Sequence, residues 1–351
     1  MNVLQTKNRI EYLDAMRGFC MILVVYAHLG LSAHVTNLFC NNVFQTFRMP
    51  LFFFLSGFLC FSKSVPPYCV NKIRKRFLGQ LLPTFVVGVL FVALMVGGDF
   101  EEALFHKSKA GYWFTFVALE MYFIYALITF VMDRISSSLC LKAMAYLVFA
   151  ILFLPLSYWI GRTGISNTSA AGLFSLVNVV SYTPFFLFGV IAKMYNDIFK
   201  KLVESKWVIS IVIVAFVALH IVGNVCKIDI KLIFYGLPGV ALIYIVFHNF
   251  RGFFCNKTWV GRALSYIGKR TLPIYLIHYF LLSGVAPEII VPVIQNNCGW
   301  IVGFMCFFIL SLVILGTCLL IEALFRKAEP LYRLCFGYPN WQYFFSFICS
   351  I

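Results

Sequence analysis

The sequence predicts an all-α, polytopic integral membrane bundle of about ten transmembrane helices, with both termini cytoplasmic. Three observations carry that expectation: an extreme apolar composition, a succession of apolar runs of membrane-spanning length, and a strict alternation of basic and non-basic connections. Of 351 residues, 62% are hydrophobic and only 12% are charged. A soluble domain lies nearer half apolar and a quarter charged. Forty Phe exceed what one globular core can hide from water, so the surplus apolar surface is expected to face lipid. No long polar stretch leaves room for a soluble domain. The chain therefore reads as a single membrane domain over 1–351, with a core of about 9–326 and a short cytoplasmic tail, 327–351.

A bilayer core requires roughly 20 apolar residues per helix. Ten runs qualify: 12–34, 44–62, 77–97, 112–132, 143–160, 173–192, 207–226, 232–248, 272–292 and 299–325. The sixth is interrupted by Asn178 and Pro184, and the ninth holds Pro273, Pro287 and Pro292. Proline is tolerated within a membrane helix where neighbours satisfy the freed carbonyls. The first run carries Asp14 and Arg17 and lacks a small-residue cleavage site in the expected place, so it reads as a span and not as a leader.

Orientation follows from the loops. One alternate set of connections, with both terminal segments, holds 21 Lys and Arg, among them Lys7, Arg9, Lys72, Arg74, Lys75 and Arg76. The other set holds five: Lys107, Lys109, Arg162, Lys227 and Lys231. The positive-inside rule places the first set in the cytosol. The net charge of +15 is thus the signature of a membrane protein, and nucleic acid is not an expected partner. The twelve Cys are scattered through apolar runs without Cys-x-x-Cys or zinc-type spacing, so they read as small hydrophobes and no metal site is expected. No internal repeat of the kind found in transporter halves is present.

Ionisable groups inside a span are costly and mark function. The first span holds Asp14, Arg17 and His28; Arg48 opens the second, and Glu120 sits in the middle of the fourth. Arg17 and His28 are 11 residues apart, about 20° past three full turns and roughly 16 Å along the axis. Both therefore project from one face of the first helix. Asp14 stands three residues before Arg17, within ion-pairing reach on a helix. Folding the chain back near Phe39 puts Arg48 close to the depth of His28, with Ser56 deeper. The plainer alternatives are that Arg17 snorkels to the headgroups, that Arg48 anchors the outer boundary, and that Glu120 is a structural hydrogen bonder. His28 has no boundary nearby. His220, His248 and His278 lie near span ends, where a structural role suffices. The cluster Lys72, Arg74, Lys75 and Arg76 is either ordinary cytosolic anchoring or a grip for a polyanion.

These residues fall into motifs. The first span reads Arg9-Ile-Glu-Tyr-Leu-Asp14-Ala-Met-Arg17-Gly18 and continues to His28; the second reads Phe47-Arg48-Met49-Pro50-Leu51-Phe52-Phe53-Phe54-Leu55-Ser56-Gly57-Phe58. Later come the basic stretch Lys72–Arg76 running into Phe77 and Pro83, then Gly111-Tyr112-Trp113-Phe114, Pro184-Phe185-Phe186-Leu187-Phe188-Gly189 and Ile274-Tyr275-Leu276-Ile277-His278. In this order they resemble the acyltransferase-3 family, whose members transfer acyl groups to carbohydrates and lipids at membranes. The resemblance runs from about Arg9 to past His278. One position departs from it: the family often has an Arg three residues beyond the one matching Arg76, and here Gly79 stands there.

The resemblance implies a membrane enzyme of the O-acetyltransferase type, in the plasma or inner membrane. It implies no bound cofactor. An acyl-coenzyme A, with acetyl-coenzyme A the expected form, would be the donor, and a carbohydrate or glycolipid the acceptor, with the lipid bilayer as surroundings. His28 would be the general base, the role that a near-neutral imidazole suits best. Arg17 or Arg48 would stabilise negative charge, Asp14 would hold Arg17, and Ser56 would supply a hydrogen bond. Lys72, Arg74, Lys75 and Arg76 would take the donor's phosphates. Glu120, Tyr275 and His278 are further candidates. The competing class is a transporter or flippase for a glycan or lipid precursor.

Overall fold

The computed structural model describes residues 10–33, 40–226, 232–283 and 300–337. The expected pivot near Phe39, the basic residues Lys7, Arg9, Lys227 and Lys231, the second half of the ninth expected span and the tail beyond Gly337 lie outside the described residues.

Among the described residues every regular element is helical. In chain order these are α1 (Glu11–Ser32), α2 (Asn41–Cys60), α3 (Val70–Met95), α4 (Phe100–Phe105), α5 (Trp113–Ile135), α6 (Leu139–Arg162), α7 (Ser169–Leu173) and α8 (Leu176–Met194). They continue with α9 (Asn196–Glu204), α10 (Lys206–Cys226), α11 (Leu232–Asn249), α12 (Trp259–Gly268), α13 (Thr271–Ser283), α14 (Trp300–Phe325) and α15 (Glu329–Phe336). α3 carries a π-helical turn at Phe77–Leu81, directly after its basic first turns. Seven described helices are long and apolar enough to cross a membrane, or eight if α9 and α10, bent by 74° at Ser205, form one span. The sixth expected span forms one helix despite Asn178 and Pro184. Its Pro184 side chain is buried, as are Pro50 in α2 and Pro83 in α3.

Burial is uneven, and the unevenness places the site. In its most apolar stretch α1 is 72% buried, whereas α6 is 17% buried. α1 is the hub, packed against α2, α11, α12, α13 and α14. α6 leans mainly on α8 and turns Val148, Ile151, Leu152 and Trp159 outward. Lipid is as apolar as Leu, so helix association in a membrane depends on close backbone approach through small residues. Gly57 and Gly189 supply it between α2 and α8: a Cβ on Gly57 would lie 1.9 Å from the carbonyl oxygen of Phe186, and one on Gly189 2.0 Å from that of Phe54. This contact fixes the α2 face that carries Arg48, Leu55 and Ser56 relative to Tyr182 on α8.

The segment read as a cytoplasmic tail contains α15. That helix packs against α3, α13 and α14 and buries Cys335 and Phe336.

Candidate active site

Two cavities adjoin inside the bundle. The first, of about 1370 Å³, is a vestibule lined by Lys72, Lys75, Arg76, Lys269, Arg270 and Arg326. The second, of about 390 Å³, is lined by Arg17, His28, Arg48, Ser56 and a largely aromatic remainder that includes Trp113, Tyr182, Tyr275 and Tyr279. Leu59, Arg76, Gln80 and Leu272 line both, so the basic vestibule leads into the inner cavity. Pockets of a few hundred Å³ with a few convergent polar groups are the usual form of a small-molecule site.

Within the inner cavity, Arg17 donates from Nη2 to Thr271 Oγ1 at 3.0 Å, which ties α1 to the start of α13. Arg48 donates from Nη1 to Asn41 Oδ1 at 2.8 Å, about two turns earlier on the same face of α2. Ser56 donates to the Phe52 carbonyl at 2.8 Å, a bond inside its own helix that no histidine shares. Trp113 and Tyr182 line the cavity as stacked rings 5.7 Å apart at 20°, and the buried Phe53 backs Tyr182 at 4.9 Å and 29°.

α13 closes the cavity from the other side through hydrogen bonds to the start of α5. Tyr275 and Tyr279 both donate to the Gly111 carbonyl, at 3.0 and 3.2 Å. The Phe114 amide donates to Tyr275 Oη at 3.2 Å, and Tyr112 donates to the Leu276 carbonyl at 2.9 Å. Gly111 has φ +99°, and a Cβ there would lie 2.4 Å from the Tyr279 ring. Only glycine fits both the left-handed backbone and the ring. Lys109, two residues earlier and 5% exposed, anchors this turn by donating to three carbonyls at 2.9 Å each, those of Leu104, Gly172 and Leu173. Burial lowers its pKa from the ordinary lysine value, and Glu120 pulls it back up.

His28 meets a second histidine. His278 on α13 has no solvent exposure, and its Nε2 lies 3.4 Å from His28 Nδ1. The two ring centroids are 5.2 Å apart, and the His28 ring also rests 5.0 Å from that of Tyr279. His278 Nδ1 lies 3.1 Å from the Ile274 carbonyl.

In the vestibule, Arg76 lies over the Tyr122 ring with its Cζ 4.2 Å from the centroid, and its Nη2 contacts Cys60 Sγ at 2.6 Å. Glu322, with no exposure, organises the opposite wall. Its Oε1 accepts from Arg326 Nε at 3.1 Å and from Tyr332 Oη at 2.9 Å, while Oε2 lies 3.4 Å from Arg270 Nε. Among the described residues no three His, Cys, Asp or Glu side chains gather as metal ligands would.

A family model described as an acyltransferase domain matches residues 10–318. The chain belongs to the acyltransferase-3 family. No curated protein and no solved structure matches it. Membership supplies the reaction class, acyl transfer at a membrane, and the match covers α1 through most of α14.

Of the residues singled out in the sequence, Arg17, His28, Arg48, Ser56, Arg76 and Tyr275 line the inner cavity together, and Lys72 and Lys75 join Arg76 in the vestibule. Asp14, Arg74, Glu120 and His278 line neither cavity. Asp14 is buried where α1 meets α12, and Glu120 Oε2 is buried without a hydrogen-bond partner among the described residues. His220 bonds within its own helix to the Phe216 carbonyl, whereas His248 reaches other helices, with Nδ1 3.2 Å from Tyr12 Oη and Nε2 3.0 Å from Glu204 Oε1. Sequence reasoning passed over Tyr182, Tyr279, Thr271 and Gln80 in the cavity. Lys269, Arg270 and Arg326 stood only among the 21 Lys and Arg assigned to the cytosolic side. The spacing of Tyr275 and Tyr279, one helical turn apart, was the available signal for a shared face.

Proposed function

We propose that this chain is a membrane O-acyltransferase of ten spans with cytosolic termini. It moves an acyl group, acetyl in the expected case, from cytosolic acyl-coenzyme A to a hydroxyl of an extracytoplasmic carbohydrate or glycolipid. The observation that carries the reading is the junction of the two cavities: a basic mouth opens into a narrow, aromatic-walled space that ends at His28 and Arg48.

The donor's phosphates sit among Lys72, Lys75, Arg76, Lys269, Arg270 and Arg326. Several cations around one polyanion suit phosphate in a partly exposed setting. The pantetheine arm passes Leu59, Gln80 and Leu272 and brings the thioester carbonyl beside His28. The acceptor sugar enters from the outer side, where Trp113 and Tyr182 offer flat apolar faces to the C–H face of a pyranose.

His28 Nε2 takes the proton of the attacking hydroxyl as its oxygen bonds to the thioester carbon. The resulting oxyanion lies among cationic donors, Arg48 or Arg17, placed where charge develops. Collapse re-forms the carbonyl and breaks the C–S bond. The leaving sulfur takes the proton from His28, and the products are an ester and free coenzyme A. A covalent acyl-Ser56 intermediate has less support, because the Ser56 hydroxyl is turned into its own helix and has no histidine beside it.

The test expresses the unsubstituted chain and His28→Ala in a host that lacks the gene and makes the native acceptor, at matched membrane levels. Surface glycans are then compared by mass spectrometry. An acyl mass increment that depends on His28 supports the reading and names the group. An increment that survives His28→Ala overturns His28 as base. No increment from either chain overturns acyl transfer in favour of transport of a glycan or lipid precursor.

A further inference from the structure

The two histidines differ in what surrounds them. His278 is sealed from solvent, while His28 lines the cavity. Neither ring has an ion-pair partner among the described residues, so the hydrogen bonds alone order their protons.

The order can be deduced atom by atom. The Ile274 carbonyl can only accept, so His278 Nδ1, 3.1 Å away, carries the hydrogen. A neutral imidazole has one N–H, so His278 Nε2 holds a lone pair. That lone pair faces His28 Nδ1 at 3.4 Å, at the long end of hydrogen-bond reach. His28 Nδ1 must therefore be the donor, which leaves His28 Nε2 bare. Among the described residues Nε2 has no protein partner, and the ring that bears it borders the cavity. α13 cannot easily release this arrangement, since Tyr275, Tyr279 and the Leu276 carbonyl bind it to the start of α5.

We infer that His278 is a positioning residue: through the relay Ile274 carbonyl–His278–His28 it fixes the His28 tautomer that presents an unprotonated Nε2 to the cavity. The inference rests on the reading of His28 as general base and specifies which nitrogen acts. A base oriented by a third group is the logic of other acyl-transfer sites, where the wrong tautomer costs rate although the base is still present. When His28 takes the hydroxyl proton on Nε2, its Nδ1–H stays directed at His278, whose lone pair accepts it throughout. The proton later leaves from the same Nε2 to the coenzyme A sulfur.

The test reads the tautomer without needing the acceptor. The full chain, labelled with [15N]histidine, is placed in lipid nanodiscs, and the ring nitrogens of His28 are assigned by their loss in His28→Gln. The expected spectrum has the proton on Nδ1 and a bare Nε2. His278→Leu, which removes the acceptor, shifts His28 toward the Nε2–H form. It also lowers kcat for glycan acylation by about 100-fold, with the KM for acetyl-coenzyme A unchanged within about 2-fold. His278→Gln, whose amide oxygen can stand near the former Nε2, restores the Nδ1–H form and most of the rate. A proton on His28 Nε2 in the unsubstituted chain overturns the inference, whatever becomes of the variants. So does a His28 Nδ1–H signal and a kcat that both survive His278→Leu. If the tautomer is as expected but His28→Ala still acylates, the general-base reading fails and the relay stands as a structural feature.

Discussion

The vestibule and the inner cavity solve opposite problems. The vestibule is wide, open and rich in like charge, with six cations from α3, the turn between α12 and α13 and the end of α14, two of them, Arg270 and Arg326, steadied by one buried carboxylate. The inner cavity is less than a third as large; Arg17, Arg48 and, at its junction with the vestibule, Arg76 line it, together with His28. In the open region each charge is screened and each has a neighbour of the same kind, so a single loss is tolerated. In the inner cavity three groups are each held by a different second residue: Arg17 by Thr271, Arg48 by Asn41, His28 by His278. On the proposed function, redundancy belongs to binding and singularity to chemistry.

The largest effect should come from the cavity. His28→Ala should lower acyl transfer by about 100-fold to 10,000-fold at equal protein level, the range for removal of a general base, read as product formed per molecule of membrane protein. Arg48→Met should follow, with a loss of about 100-fold in kcat. Arg48→Lys should recover only part of it, because an ammonium lacks the planar fork that reaches Asn41 and an oxyanion at once. Gly111→Ala should lower stability by about 1–3 kcal/mol, from a left-handed backbone and a clash with Tyr279. A lowered thermal midpoint in detergent would register it. In the vestibule, Lys75→Gln alone should raise the donor KM by about 2–5-fold without changing kcat, and the effect should shrink as salt rises. Leu152→Ala on the lipid face of α6 should change neither activity nor midpoint. A vestibule variant as damaging as His28→Ala would dissolve the contrast between the two regions.

Much of the fold was legible because the bilayer leaves few choices. Every expected span within the described residues contains a helix, and the first two helices carry the expected cavity residues on their facing sides. The contact of His28 with Arg48 through a shared cavity followed from the helical period and a short turn. His278 was harder to read. Its position near a span end made it look structural, and nothing local signals that α13 returns to α1. The same holds for Lys269, Arg270 and Arg326: charge counting puts them in the cytosol but cannot say that Glu322 gathers two of them on one wall. Asp14 adds a contact that its spacing could not show: it is buried at the meeting of α1 and α12, where its carbonyl oxygen would lie 1.8 Å from a Cβ on Gly268. Periodicity determines which residues share a helix face, and only packing determines which helix that face meets.

The meeting of His28 with His278 joins positions 250 residues apart. A ribosome adding roughly 5–20 residues per second needs about 10–50 seconds to travel that distance. Throughout that interval the first helix is already made while the residue that would orient its imidazole does not yet exist. On the proposed reading, the pair that presents the base is therefore completed only late in the protein's own synthesis.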